Sequence, residues 1–204
     1  MSTLVLFIGA SLALVVIPGP NHLYITARGL AQGRAAGLAS AFGVEMGTLV
    51  HIAAAAAGLS YLIANSAALF GVVKWAGVAY LVYLGIRTLT SKDEVAGRTP
   101  EPQPLRSVFL EGVLVNVLNP KVILFFLAFL PQFVDPSAGS PTLQIVVLGL
   151  TTLTLGLLSD MLYAFTAGAF SERLARKAKT IRYISGFVYL GLGVLTAFTG
   201  RKAA

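Results

Sequence analysis

The sequence predicts an all-α membrane protein: six transmembrane helices built as two inverted three-helix repeats, with helices one and four broken. Three observations lead there. The 204 residues are 56% hydrophobic and 11% charged, with mean hydropathy +0.82, which leaves too little charge to cover a soluble surface. Six apolar segments follow one another, at about 4–27, 38–62, 69–89, 108–131, 143–169 and 183–199, each near the roughly 20 residues that a spanning helix needs. Prolines interrupt the first and fourth of them.

Without water in the bilayer core, segments of this length satisfy their backbone groups only as helices. The first segment, "LVLFIGASLALVVIPGPNHLYITA", lacks a basic leader and exceeds the ~7 to 15 residues of a signal-peptide core, so it reads as a retained span. The connections alternate in charge. Those after spans one, three and five carry Arg28 and Arg34; Arg87, Lys92, Arg98 and Arg106; and Arg173, Arg176, Lys177, Lys179 and Arg182. The opposite side carries Lys74, Arg201 and Lys202. Basic residues accumulate in cytoplasmic loops, so both termini are expected outside. The net charge of +7 then points to anionic lipid rather than nucleic acid as the partner.

The loop "SKDEVAGRTPEPQPLR" is rich in proline and charge and reads as a cytoplasmic linker, about 91–107, between repeat one (about 1–90) and repeat two (about 108–204) of a single transporter domain, 1–204. The halves echo each other. Span three has Gly77, Tyr80 and Leu81 where span six has Gly186, Tyr189 and Leu190. "PGP" (Pro18, Gly19, Pro20) breaks span one, and "NPK" (Asn119, Pro120, Lys121) breaks span four. Three spans per half make the halves opposite in orientation, and inverted repeats with matching broken helices mark a transporter's central site.

A proline has no N–H to donate and pushes away the carbonyl four residues back. Pro120 therefore frees the Asn116 carbonyl, and Pro18 and Pro20 free those of Leu14 and Val16. The half-helix beyond each break begins with unpaired amides that favour an anion such as a carboxylate. The ionisable groups read as lying well inside spans are Glu45, His51, Lys121 and Asp160. Each charged one costs about 2.5 to 3.5 kcal/mol at the bilayer centre on insertion scales and calls for a partner inside the bundle.

From mid-span, Lys121 would have to cross roughly 15 Å to snorkel out, farther than its stem reaches. Glu45 reads as a proton or amine site or as a structural partner of Lys121, and Asp160 as a proton-coupling carboxylate or half of an ion pair. His51 stands six residues from Glu45, rotated by about 240°, and suits a packing role as well as a ligand contact. Asn116 and Asn119 are expected to bridge the broken backbone of span four, or to touch substrate.

Cysteine is absent, which removes disulfide, thiolate-metal and thiol redox chemistry. No H-E-x-x-H, Gly-x-Ser-x-Gly or P-loop occurs, so neither an enzyme nor a resident cofactor or metal is expected. A carrier of metal ions would need converging ligands at one depth, and Lys121 would repel cations. Export of such a solute, or a structural subunit without transport, stand as the alternatives.

With these residues in view, the chain resembles the LysE/RhtB family of bacterial amino-acid exporters. The likeness rests on "PGPNHLYI", "GVEMGTLVHI", "KWAGVAYLVYLGI" and "VNVLNPKVILFFLAFLPQF". The resemblance implies an inner-membrane efflux protein for amino acids or close derivatives, driven by protons. The family's motif positions fall on Pro18, Gly19 and Pro20 and on Asn119, Pro120 and Lys121. The expected substrate site is thus Pro18, Gly19, Pro20, Asn21, Asn116, Asn119, Pro120 and Lys121, with Glu45, Asp160 and His51 for the proton or the amine. A homodimer through a small-residue face such as Gly37, Ala41 and Glu45 is compatible with the sequence.

Overall fold

The computed structural model describes residues 3–65, 67–90, 100–176 and 178–198. Helices α1 (Thr3–Val16) and α2 (Pro20–Gln32) are followed by α3 (Arg34–Asn65) and α4 (Ala67–Thr90). Next come α5 (Leu105–Val117), the short α6 (Pro120–Leu124), a π-helical turn Phe125–Phe129, and 3-10 turns Leu130–Phe133 and Pro136–Ala138. The long α7 (Pro141–Arg176) and α8 (Ala178–Phe198) complete the chain. No strand occurs among the described residues.

Three stretches, Arg34–Gly58, Gly71–Thr90 and Pro141–Ala167, are each long and apolar enough to cross a membrane alone. Two further candidates are broken: Leu4–Val16 with Pro20–Gln32 bends by 44°, and Leu105–Val117 with Pro120–Phe133 bends by 48°. Arg182–Phe198 is a shorter apolar helix, about 25 Å long at 1.5 Å per residue and so at the low end of what spans the hydrocarbon. The breaks fall at "PGP" and "NPK" because Pro20 and Pro120 open α2 and α6, each at the one helical position where a missing N–H costs nothing.

Several polar and charged residues are buried, while many large apolar ones face outward. On α5, Leu114 and Leu118 are 57% and 64% exposed while Asn116 is buried. On α7, Leu158 and Leu162 face outward on either side of the buried Asp160. Water would reverse that arrangement, and lipid requires it. This is a multi-pass membrane protein.

Helix α3 is the central member, packed on α5 and α7, with α2 wedged against all three; α4 and α8 pair at the other side. Glycines permit the closest approach: a Cβ at Gly112 would stand 2.8 Å from the Ser40 carbonyl and 3.3 Å from Gly43 Cα. Gly33 turns α2 into α3 at φ 82°, a conformation that disfavours a side chain.

The first span extends further than its apolar pattern indicates. Arg28 is not in a loop: α2 runs on to Gln32, and Arg28 is buried at 3% exposure. Most of the linker, with Lys92 and Arg98, lies outside the described residues, as do Lys177, Arg201, Lys202, both termini and the side chains of Arg173 and Arg176.

Candidate functional site

A cavity of about 50 Å³ lies at the level of both breaks, room for about three to five waters at ~10–15 Å³ each. Its walls come from every element that the interruptions bring together. Gly19, Asn21 and His22 come from the start of α2, Asn119 and Lys121 from the second break, and Asn116 from α5. Glu45 and Thr48 project from α3, and Thr152, Gly156 and Asp160 from α7. Leu14, Val122, Phe125 and Phe126 form an apolar patch.

The freed carbonyls end on side chains. At the end of α1, Ser159 Oγ donates to the Val15 carbonyl (3.0 Å), Tyr163 Oη to Val16 (3.1 Å) and Lys121 Nζ to Ile17 (3.0 Å). At the end of α5, the Asn116 carbonyl accepts from Asn119 N (2.9 Å) and from His51 Nε2 (3.2 Å). A lysine 6% exposed thus covers one helix end while its charge faces the cavity.

The two breaks are also tied to each other. Asn119 Nδ2 donates to Asn21 Oδ1 at 2.8 Å, and Asn119 Oδ1 caps α6 by accepting from Lys121 N at 3.0 Å. The start of α6 is therefore satisfied internally. At the start of α2, Gly19 has no side chain to cap with, which leaves early amides of a 13-residue helix available to an anion.

The carboxyl groups of Glu45 and Asp160 adjoin, and His22 Nε2 stands 3.4 Å from Asp160 Oδ1. Gly156 makes room for this wall: a Cβ there would lie 2.5 Å from Glu45 Oε1. Buried Glu45 Oε2 and Asn116 Oδ1 have no hydrogen-bond partner. Buried acceptors left unpaired are costly, and these two sit where a donor-bearing ligand would meet them.

Of the residues expected from the sequence, the structure gathers Gly19, Asn21, Glu45, Asn116, Asn119, Lys121 and Asp160 around one cavity. Pro18 lies between α1 and α2, Pro20 starts α2 and Pro120 starts α6, and none of the three lines the cavity. Asn116 does not bridge the break, because its Nδ2 donates to Thr48 Oγ1 at 3.2 Å. His51 is turned away: it caps Asn116 and stacks on Phe126, with ring centroids 5.7 Å apart. Glu45 makes no ion pair with Lys121, whose Nζ donates to the Ile17 carbonyl instead.

His22, Thr48, Thr152 and Gly156 escape the sequence reading. Helical spacing is the signal that finds three of them: Thr48 follows Glu45 by three, and Thr152, Gly156 and Asp160 are four apart. The repeat echo holds less well. Tyr189 Oη would stand 3.9 Å from a Cβ at Gly19, whereas Tyr80 packs on Tyr83 at 5.6 Å.

A helical bundle in lipid with a polar cavity between two broken helices defines a membrane translocator. The chain belongs to the LysE type translocator family, whose model matches residues 12–200. It is 32% identical over 187 residues to an uncharacterized membrane protein of Vibrio cholerae, covering 88% of this chain and 89% of that one. It is 30% identical over 194 residues to the leucine efflux protein of Klebsiella pneumoniae, covering 93% and 89%. It is also 29% identical over 199 residues to that of Salmonella choleraesuis, covering 94% and 92%. No solved structure matches the chain.

Proposed function

We propose that this protein exports amino acids across the bacterial inner membrane, with a neutral, apolar amino acid such as leucine as its cargo and protons moving in exchange. The observation that carries the reading is the lining of one cavity, which gathers an ammonium, two carboxyls and an apolar patch. A zwitterion fits that pattern. Its carboxylate would lie between Lys121 and the start of α2, its ammonium would meet Glu45 Oε2 and Asn116 Oδ1, and its side chain would lie on Leu14, Val122, Phe125 and Phe126. The names of the Klebsiella and Salmonella relatives support the choice of leucine.

At about 50 Å³ the cavity must widen to take an amino acid, so an alternating-access cycle passes through a wider conformation than the one described. Glu45 or Asp160 takes up a proton as the amine leaves, and the two inverted halves, 1–90 and 108–204, rock about the Asn21–Asn119 tie. The charge bias of the loops supports an orientation with the α2–α3 turn in the cytoplasm and both termini outside.

The test is counterflow of labelled leucine and a panel of other amino acids in proteoliposomes, with and without a pH gradient. Lys121→Ala and Glu45→Gln should each abolish exchange in folded, inserted protein. Wild-type transport by both variants would remove the site from consideration, and no counterflow by the native protein would favour a structural subunit.

A further inference from the structure

The packing differs on the two sides of the cavity. Toward the side of the α1 N-terminus the seal is aromatic: Phe7, Phe125, Phe129 and Phe133 stack with ring centroids 5.0 to 6.1 Å apart. Toward the α2–α3 turn the apolar layer is thin, made by Ile25, Val44 and the small residues Ala41 and Ala164. Beyond it lies a polar cluster that plays no part in holding an amino acid.

Arg28 Nη2 contacts Glu111 Oε2 at 2.5 Å. Tyr24 Oη donates to the Val108 carbonyl at 2.6 Å and to Glu111 Oε2 at 3.2 Å, and the Arg28 guanidinium lies 5.7 Å from the Tyr24 ring centre. Arg28 Nη1 also donates to the Glu101 carbonyl at 2.9 Å, while Gln32 Nε2 donates to that of Gln103 at 2.8 Å. Every one of these bonds joins α2 to α5 or to the segment leading into it.

Position and exposure suit a gate. Eight residues separate Arg28 from Pro20, and eight separate Glu111 from Asn119, so both stand about 12 Å beyond the breaks at 1.5 Å per residue. Half of a ~30 Å hydrocarbon core is about 15 Å, which puts the pair just inside the water boundary. Arg28 is 3% exposed and Glu111 42%. A fully buried pair would strand two charges on opening, whereas this one parts into water that already reaches one partner.

We propose that Arg28, Glu111 and Tyr24 form a latch on the cytoplasmic gate, which must part for cargo to enter the cavity. The assignment rests on the transporter reading above. The segment before α5 is part of the latch through the Glu101 and Gln103 carbonyls.

The chain has no cysteine, so a single reporter, Thr48→Cys in the cavity wall, can be labelled without background. The full-length protein carrying it is treated with a membrane-impermeant maleimide in inside-out and in right-side-out vesicles. Adding Glu111→Gln, or separately Tyr24→Phe, should raise the labelling rate about tenfold or more from the cytoplasmic face and leave it unchanged from the other. An unchanged cytoplasmic rate with both variants, or an equal rise from both faces, overturns the latch. Labelling does not depend on cargo. If it responds as expected while no amino acid is exchanged, the latch stands and the exporter reading falls; leucine counterflow without the labelling response has the opposite meaning.

Discussion

Asn119 Nδ2 donates to Asn21 Oδ1 at 2.8 Å, and this one bond joins the interruptions of two helices 98 positions apart in sequence. Asn119 also caps α6 through Lys121 N, so the two partners are not equivalent. In a double-mutant cycle with Asn21→Ala and Asn119→Ala, the coupling should be about 0.6 kcal/mol and no more than ~1.7, the range found for side-chain bonds between membrane helices. Asn119→Ala alone should cost more than Asn21→Ala, by the ~0.5 to 2 kcal/mol of a lost cap. Reversible unfolding in mixed micelles measures all three; equal single costs with no coupling would mean that the breaks are held apart independently.

Gly156 and Glu45 provide a test that separates the site from the scaffold. A Cβ on Gly156 would lie 2.5 Å from Glu45 Oε1 and 3.2 Å from its Cδ, the far end of a flexible side chain that can swing aside. Gly156→Ala should therefore leave stability unchanged or raise it by up to ~1 kcal/mol, the helix preference of alanine over glycine. On the cargo placement proposed above, displacing the carboxyl removes a charged hydrogen bond of about 1.5 to 3 kcal/mol, so affinity for the proposed cargo should fall about ten- to hundredfold. Unaltered affinity in a folded variant would move the amine away from Glu45.

What could be read from the sequence is what rests on a single strong constraint. Proline has no N–H to give, so both breaks are visible in "PGP" and "NPK". Lys121 is too far from water to snorkel, so its inward direction is visible as well. What escaped depends on tertiary packing. Span one seemed to end at Ala27 because "RGLAQ" is polar, yet α2 continues to Gln32 with Arg28 held by Glu111 on another helix. His22 reads as part of a polar interruption until the 44° bend turns it toward Asp160. The π turn in "FFLAF" follows from no residue pattern; it sets Phe125 and Phe126 against the cavity.

Outside the membrane, Asp135 gives a pH-dependent local structure. Its Oδ1 accepts from Ser137 N at 2.9 Å and from Ser137 Oγ at 2.6 Å, and these bonds hold the carboxyl below its ordinary range. A depressed folded value means that the contribution is complete above the unfolded value of about 3.9 and is lost as pH falls through the lower folded one. Carbon-detected NMR of labelled aspartate should show Asp135 titrating below ~3.9, and Ser137→Ala should return it toward that value. Titration at or above ~3.9 in the native protein would show that the turn is not capped in solution.

The contact of α3 with α5 carries the site's geometry, since it sets Glu45 and Thr48 against Asn116, and it rests on two facing glycines. A Cβ at Gly112 would meet the Ser40 carbonyl at 2.8 Å and Val44 N at 3.2 Å, both backbone atoms of the central helix. Neither can move aside as a side-chain tip can. Gly112→Ala should therefore destabilise the fold by about 1 to 3 kcal/mol through overpacking, in spite of alanine's better helix preference. Gly9 on α1 is the internal control, because a Cβ there meets nothing within 4 Å. Gly9→Ala should be neutral or stabilising by up to ~1 kcal/mol. The ratio of folded protein along a denaturant series compares the two variants directly, and a Gly112→Ala protein as stable as native would require α3 and α5 to stand farther apart.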